Sequence, residues 1–288
     1  MPRFKLEIEY EGTRYSGWQV QKHARTVQGE LIEAVKRVLP EQEIDLQGAG
    51  RTDAGVHALR QVAHLDCETR IPPDILRLKL NDELPADIHI LSLQPVPKSF
   101  HARHSAIARS YIYQISRRCT AFGKRFVWWI KDELSLEAMQ QAAALFSGMK
   151  NFESFTAERD EDKSTLVLMH PIEVKACGDL ILLRFFGSHF LWKMVRQSVG
   201  VIAEVGRGKL SLSEVREFFE KKSDRPAQLT APPSGLFFEG AYYRKTERPG
   251  PLKPALTLAF ETKGEETKIP LQGETQHTEV ESLRKTEK

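Results

Sequence analysis

The chain has little cysteine: Cys67, Cys119 and Cys177 are its only three in 288 residues. They are odd in number, widely spaced and form no CxxC pair. That argues against a disulfide framework and against a cysteine-based zinc site. An HExxH pattern is also missing, and His101 and His104 have no carboxylate close in sequence; no metal is expected. Neither GxxxxGK[ST] nor GxGxxG occurs, so a nucleotide cofactor is not indicated. No apolar run approaches the roughly 18 residues of a membrane span. The opening MPRFKLEIEYEG lacks the apolar stretch of a secretory signal. The expected location is cytoplasmic.

Acidic residues are missing from one long stretch. Residues 88–131 hold no Asp or Glu, but eight basic residues: Lys98, Arg103, Arg109, Arg117, Arg118, Lys124, Arg125 and Lys131. Phe100, Tyr111, Tyr113, Phe122, Phe126, Trp128 and Trp129 are interleaved with them. Cations mixed with aromatic rings suit a polyanion with exposed bases. They also suit a basic flank between two cores. The whole chain is only +3, from 42 basic and 39 acidic residues, which disfavours a purely electrostatic coater of nucleic acid.

What is present describes a globular protein, 41% hydrophobic and 28% charged, long enough for a sizeable core. Residues 4–10 alternate strictly and predict a half-buried strand. The stretch from Thr26 to Leu39 carries helical spacing, with Thr26 as N-cap and Pro40 as stop. Strands are expected at 59–66 and 88–93, with a short helix at 74–80 between them. The second half repeats the order: a strand at 111–116, a helix from Ser135 to Phe146, and strands at 166–174 and 179–186. A long helix is expected over 188–205, then one opened by a Ser211–Glu214 capping box, then a last strand in GLFFEGAYY. This mixture predicts an α+β fold rather than a doubly wound parallel sheet. Two domains are expected, 1–105 and 106–245. Residues 246–288 have mixed charge and few apolar positions, and are expected to be a disordered tail.

The sharpest local pattern is GAGRTDAGVHA at 48–58. Its glycines permit close approach and left-handed dihedrals, and they frame Arg51, Asp53 and His57. The expected setting is an ordered loop between a helix and a strand, a common place for a functional side chain. Asp53 could equally be a turn residue accepting backbone hydrogen bonds.

This segment closely resembles the catalytic-loop motif of the TruA-type tRNA pseudouridine synthases. Eight further stretches agree with that family in order. YEGTRYSGWQVQ (10–21) is similar to its opening, TVQGEL (26–31) to the helix that follows, and LPADI (84–88) and FHARHSA (100–106) come next. RSYIY (109–113), NFESF (151–155), FLWKMVRQSVG (190–200) and GLFFEG (235–240) complete the series. One feature departs: RDEDKSTLVLMHPIEV (159–174) has no arginine after Ser164, where the family often has one. Arg159 or Lys163 could substitute, beside an unusual acidic cluster at 160–162.

The resemblance implies two similar α+β domains, each a mainly antiparallel sheet with helices on one side, around a central basic cleft. It implies a homodimer acting on tRNA, and conversion of uridine to pseudouridine at positions 38, 39 and 40 of the anticodon arm without cofactor or metal. Carried over by position, Asp53 matches the catalytic aspartate, Arg196 its partner and Tyr111 the ring that stacks on the target base. Arg51 matches an arginine assisting base flipping, and Leu236 an apolar residue near the pocket floor. Arg103, Arg109, Arg117 and Arg118 are the expected contacts to the RNA backbone. Left to the pattern alone, Tyr111 could be core and Arg196 a snorkelling arginine on a helix flank. Other RNA sites, or RNA binding without catalysis, are the competing readings. A carbohydrate glycosidase fits less well, because that chemistry usually wants two carboxylates flanking one bond.

Overall fold

The computed structural model describes residues 1–157 and 164–256. β1 (Arg3–Tyr10) forms where the sequence alternates, and its Phe4, Leu6, Ile8 and Tyr10 are buried. α1 (Val27–Val38) starts at Thr26, whose hydroxyl accepts from the Gly29 N–H at 3.2 Å. That bond satisfies one donor left free in the first turn. β2 (Asp45–Gly48), β3 (His57–Asp66), α2 (Pro73–Glu83) and β4 (Ile88–Val96) follow. Then come β5 (Ala108–Ser116), β6 (Trp128–Trp129), α3 (Leu136–Ala144), β7 (Gly148–Asn151), β8 (Leu166–Met169), β9 (Glu173–Cys177) and β10 (Leu180–Gly187). The chain closes with α4 (Met194–Gly206), α5 (Leu212–Glu220), α6 (Arg225–Gln228) and β11 (Leu236–Tyr242).

The fold is α+β, with one large, mostly antiparallel sheet. Its order is β4-β1-β3-β11-β5-β10-β8-β7, with β2 on β3, β6 on β5 and β9 on β10. The last strand returns to the middle. β11 runs parallel to β3 through Phe237 and Phe238, and antiparallel to β5. Strands from before and after residue 105, which lies in the connection between β4 and β5, therefore share hydrogen bonds.

One face of the sheet carries the helices. Leu31, Leu80, Met139, Val199 and Val215 from five helices join Leu6, Ile8, Tyr113 and Phe185 in one core. The other face holds a small cluster of Ile112, Val127, Leu180, Leu182 and Leu252. Leu252 belongs to the stretch expected to be disordered. Residues 246–256 are instead packed: the Ala255 N–H donates to the Gln114 side chain at 2.7 Å, and Arg248 lies over the Phe186 ring. A single leucine meets an apolar hollow between strands, which composition does not register. The rest of that stretch, 257–288, lies outside the described residues.

Two expected elements differ in extent. The strand over 166–174 is two strands, β8 and β9, separated at Pro171, which has no N–H for the ladder. The helix over 188–205 begins only at Met194. Lys193 has a left-handed backbone, φ 60°, and residues 188–193 form a loop.

Candidate active site

The GAGRTDAGVHA segment is not between a helix and a strand. It joins β2 to β3, which pair antiparallel with Gly48 opposite Ala63. The opening stretch of the chain grips it. Trp18 N–H donates to the Thr52 carbonyl at 3.1 Å, and Gly55 N–H to the Tyr15 carbonyl at 3.2 Å. The Tyr10 and Thr52 hydroxyls meet at 2.8 Å. Gly55 needs its φ of 78°, which L side chains rarely adopt. A Cβ on Gly48 would stand 2.6 Å from the Trp18 ring. The loop is thereby fixed on both sides of Asp53.

Asp53 and Arg196 are 143 positions apart and meet in space. Arg196 Nη1 donates to Asp53 Oδ2 at 3.1 Å. Its Nε donates to the Ala231 carbonyl at 2.8 Å, so the guanidinium is held from behind. The other carboxylate oxygen is not idle: Trp192 Nε1 donates to Asp53 Oδ1 at 3.2 Å. Sequence spacing had placed Trp192 four positions from Arg196 on one helical side. In the structure it reaches Asp53 from the 188–193 loop, and its side chain is half-exposed. Indole N–H donation to the carboxylate is a contact that no sequence pattern signalled.

These groups border a cleft of about 1220 Å³. Among the described residues, Arg51, Arg103, Arg109, Lys193 and Arg196 line it against a single carboxylate, Asp53. Arg51 and Arg103 are exposed. Leu236, at the start of β11, and Tyr111, on β5, close the floor; both are buried. Tyr111 is wedged edge-on against Phe190 and Phe238, with centroids 4.9 and 5.1 Å away. Burial pushes its phenol pKa up, with Tyr10 adding to the effect and Arg109 opposing it; the hydroxyl stays protonated at neutral pH. Burial, and then Arg109, lowers the pKa of His189 at the same cleft.

A family sequence profile described as tRNA pseudouridine synthase matches residues 7–105 and 142–244. The chain belongs to the tRNA pseudouridine synthase family. Curated relatives agree. A "tRNA pseudouridine synthase A" of Thermodesulfovibrio yellowstonii is 40% identical over 256 residues, covering 84% of this chain and 100% of that one. Proteins of the same name from Beijerinckia indica and an Exiguobacterium species are 39% and 38% identical. They cover 84% and 86% of this chain and 94% and 100% of their own.

Within this tRNA pseudouridine synthase fold, the expected site residues divide. Asp53, Arg196, Tyr111, Arg51, Leu236, Arg103 and Arg109 all line the one cleft. Arg117 and Arg118 do not. They follow β5, roughly 25 Å from Arg109 at the usual strand rise. There Arg117 donates to the Gly178 carbonyl and Arg118 to Asp179. Arg109 is part-buried and bonded to main-chain carbonyls. Burial lowers its pKa.

His57 also leaves the list of reactive candidates. Its Nδ1 accepts from the Gly12 N–H at 3.0 Å, its Nε2 lies 2.9 Å from the Arg125 carbonyl, and Phe237 stacks on the ring. It locks the hairpin base. His101 Nδ1 accepts from Arg103 and His104 N–H groups, which makes it a loop organiser. No cluster of three or more metal-ligating side chains occurs among the described residues. No helix among them is long and apolar enough to cross a membrane. Ser164 lines the cleft; Arg159, Lys163 and the acidic cluster at 160–162 lie outside the described residues.

Proposed function

We propose that this protein isomerises uridine to pseudouridine in the anticodon arm of tRNA, at positions 38, 39 and 40, with Asp53 as its catalytic residue. The observation that carries this reading is the Asp53 carboxylate, gripped by Arg196 and Trp192 at the edge of a basic, aromatic-floored cleft. A uracil inside a stem cannot be reached without leaving the stack. Arg51, exposed at the cleft beside Asp53, supports a reading in which its side chain takes the vacated position. Tyr111 and Leu236 offer the extruded ring an apolar seat, and such stacking is worth about 1–3 kcal/mol.

The reaction is an isomerisation, so its atoms balance without a co-reactant. The N1–C1′ bond breaks, the base turns, C5 joins C1′, C5 gives up its proton and N1 gains one. Asp53 either adds to C1′ or takes the C2′ proton to give a glycal. Both routes need a carboxylate oxygen free of strong donors at that moment. Oδ1, which among the described residues is held only by the indole N–H, is the oxygen that can be released. Oδ2 stays on Arg196, which keeps the group aimed. The exposed Arg103 serves the RNA backbone near the target. Arg117 and Arg118 would reach only phosphates remote from it.

Because C5 loses its hydrogen, tRNA transcripts carrying tritium at uracil C5 release tritium as the reaction proceeds. Release from transcripts whose only labelled uridines are at 38, 39 or 40 is the expected result. Release solely from uridines elsewhere would leave the chemistry and overturn the site.

A further inference from the structure

Arg109 spends every donor it has on main-chain oxygens. Nε and Nη2 donate to the Ala49 carbonyl at 3.3 and 3.2 Å. Nη1 donates to the carbonyls of Ala106 and Ser188 at 3.1 and 3.2 Å. Nη2 also donates to the Arg103 carbonyl at 2.5 Å. Those five bonds exhaust a guanidinium. No described carboxylate lies within ion-pair distance of it, so the charge is not there to complete a salt bridge. The acceptors are informative in themselves. Ala49 opens the loop that carries Asp53. Ser188 opens the loop that carries Trp192 and leads to Arg196. Arg103 and Ala106 bracket the approach to β5. One side chain on a central strand thus ties together the two segments whose side chains meet at the carboxylate.

We infer that Arg109 is a positioning residue, which registers the Asp53 loop against the loop leading to Trp192 and Arg196, and is not a ligand for RNA phosphate. This rests on the isomerase reading for its consequence in turnover, but not for its consequence in the free protein. A rigid fork with five donors can satisfy four carbonyls from three directions. A lysine ammonium has three donors at one point and cannot. A phosphate, by contrast, accepts either cation.

That difference supplies the test, with Arg109→Lys and Arg109→Gln measured side by side. Turnover of C5-tritiated tRNA, tRNA affinity across a salt series, and hydrogen exchange of the free protein are the three readouts. The expected result is a fall in kcat of about tenfold or more in both variants, since misplacement by about 1 Å can cost ~100-fold. Kd for tRNA should stay within about threefold, with an unchanged slope against salt. Exchange should quicken in segments 49–56 and 188–194 of both variants and not in β1 or α5. A phosphate ligand predicts otherwise: Lys near wild type, Gln weaker in binding, and a salt slope smaller by about one. That outcome overturns the inference, as does unchanged exchange in both segments. If the wild-type protein releases no tritium, the isomerase reading fails by itself, and the exchange measurement still decides the role of Arg109.

Discussion

Of the arginine–carboxylate contacts in this fold, those of Arg184 and Arg196 are built differently. Arg184, on β10, is 3% exposed. It clasps Glu239 through two bonds, at 3.0 and 2.7 Å, and Glu173 through a third at 2.9 Å. Glu239 occupies a bulge in β11, so the pair staples three strands of the sheet. Arg196 meets Asp53 through one bond at 3.1 Å, and both are more open, at 14% and 23%. The closed pair is shut away from a ligand by burial, with Arg184 at 3% and Glu239 at 15% exposure. The open pair leaves one oxygen on a weak partner that faces a cleft. The same two chemical groups therefore serve cohesion in one place and, on the proposed reading, reactivity in the other, and exposure makes the difference.

Breaking the closed pair gives the largest expected effect on stability. Glu239→Gln leaves a buried guanidinium poorly compensated and should cost about 3–5 kcal/mol, read as a fall in denaturation midpoint. Among molecules that remain folded, turnover should be close to normal. Breaking the open pair reverses the pattern. Arg196→Ala should lower turnover by about 100-fold, because Asp53 loses its aim, while tRNA binding changes little. A large loss of stability with intact turnover would erase the contrast.

A third perturbation addresses the back of the sheet near Arg184. Truncation after Lys245 removes Leu252 from Ile112, Leu180 and Leu182. Burying a leucine contributes about 1.5–3 kcal/mol, so a loss of about 2 kcal/mol is expected, with activity retained at low temperature. Truncation after 256 should spare that contact, and equal losses for both truncations would show that Leu252 is not the cause.

The smallest effect is pH-dependent. Burial, then Arg3 and His101, holds the pKa of His64 down at about 4, below the 6.5 of an unfolded chain. Between those values the unfolded chain binds the proton and the folded one does not. Stability is therefore complete above pH 6.5 and declines as pH falls to about 4, by about 1 kcal/mol per unit. His64→Gln should flatten that slope; an identical slope would assign the decline to other groups.

The parts of the fold that were legible in the sequence are those set locally. Thr26 and Ser211 cap their helices because a side-chain oxygen lies within three residues of a free N–H. β1 declares itself by alternation. Asp53, Tyr111, Arg196 and Leu236 could be named because they stand in recognisable motifs. What was not legible depends on contacts distant in sequence. Leu191, Val195 and Val199 keep helical spacing, yet the helix waits until Met194. Trp192 is turned toward Asp53, and its carbonyl accepts from Ala157. β2, β6 and β7 have four, two and four residues, too few to show a period. Arg109 looked like one more cation in an acid-free stretch. Only the fold reveals that its donors are all engaged.

Asp53→Asn tests the central claim most directly, because the amide keeps the shape of the side chain and removes the nucleophile or base. The variant should bind tRNA within about threefold of wild type. It should release tritium from C5-labelled uridine at least ~100-fold more slowly, since such groups contribute ~10²–10⁴-fold. Turnover above about one percent of wild type, with the protein folded and tRNA bound, would contradict the assignment of Asp53.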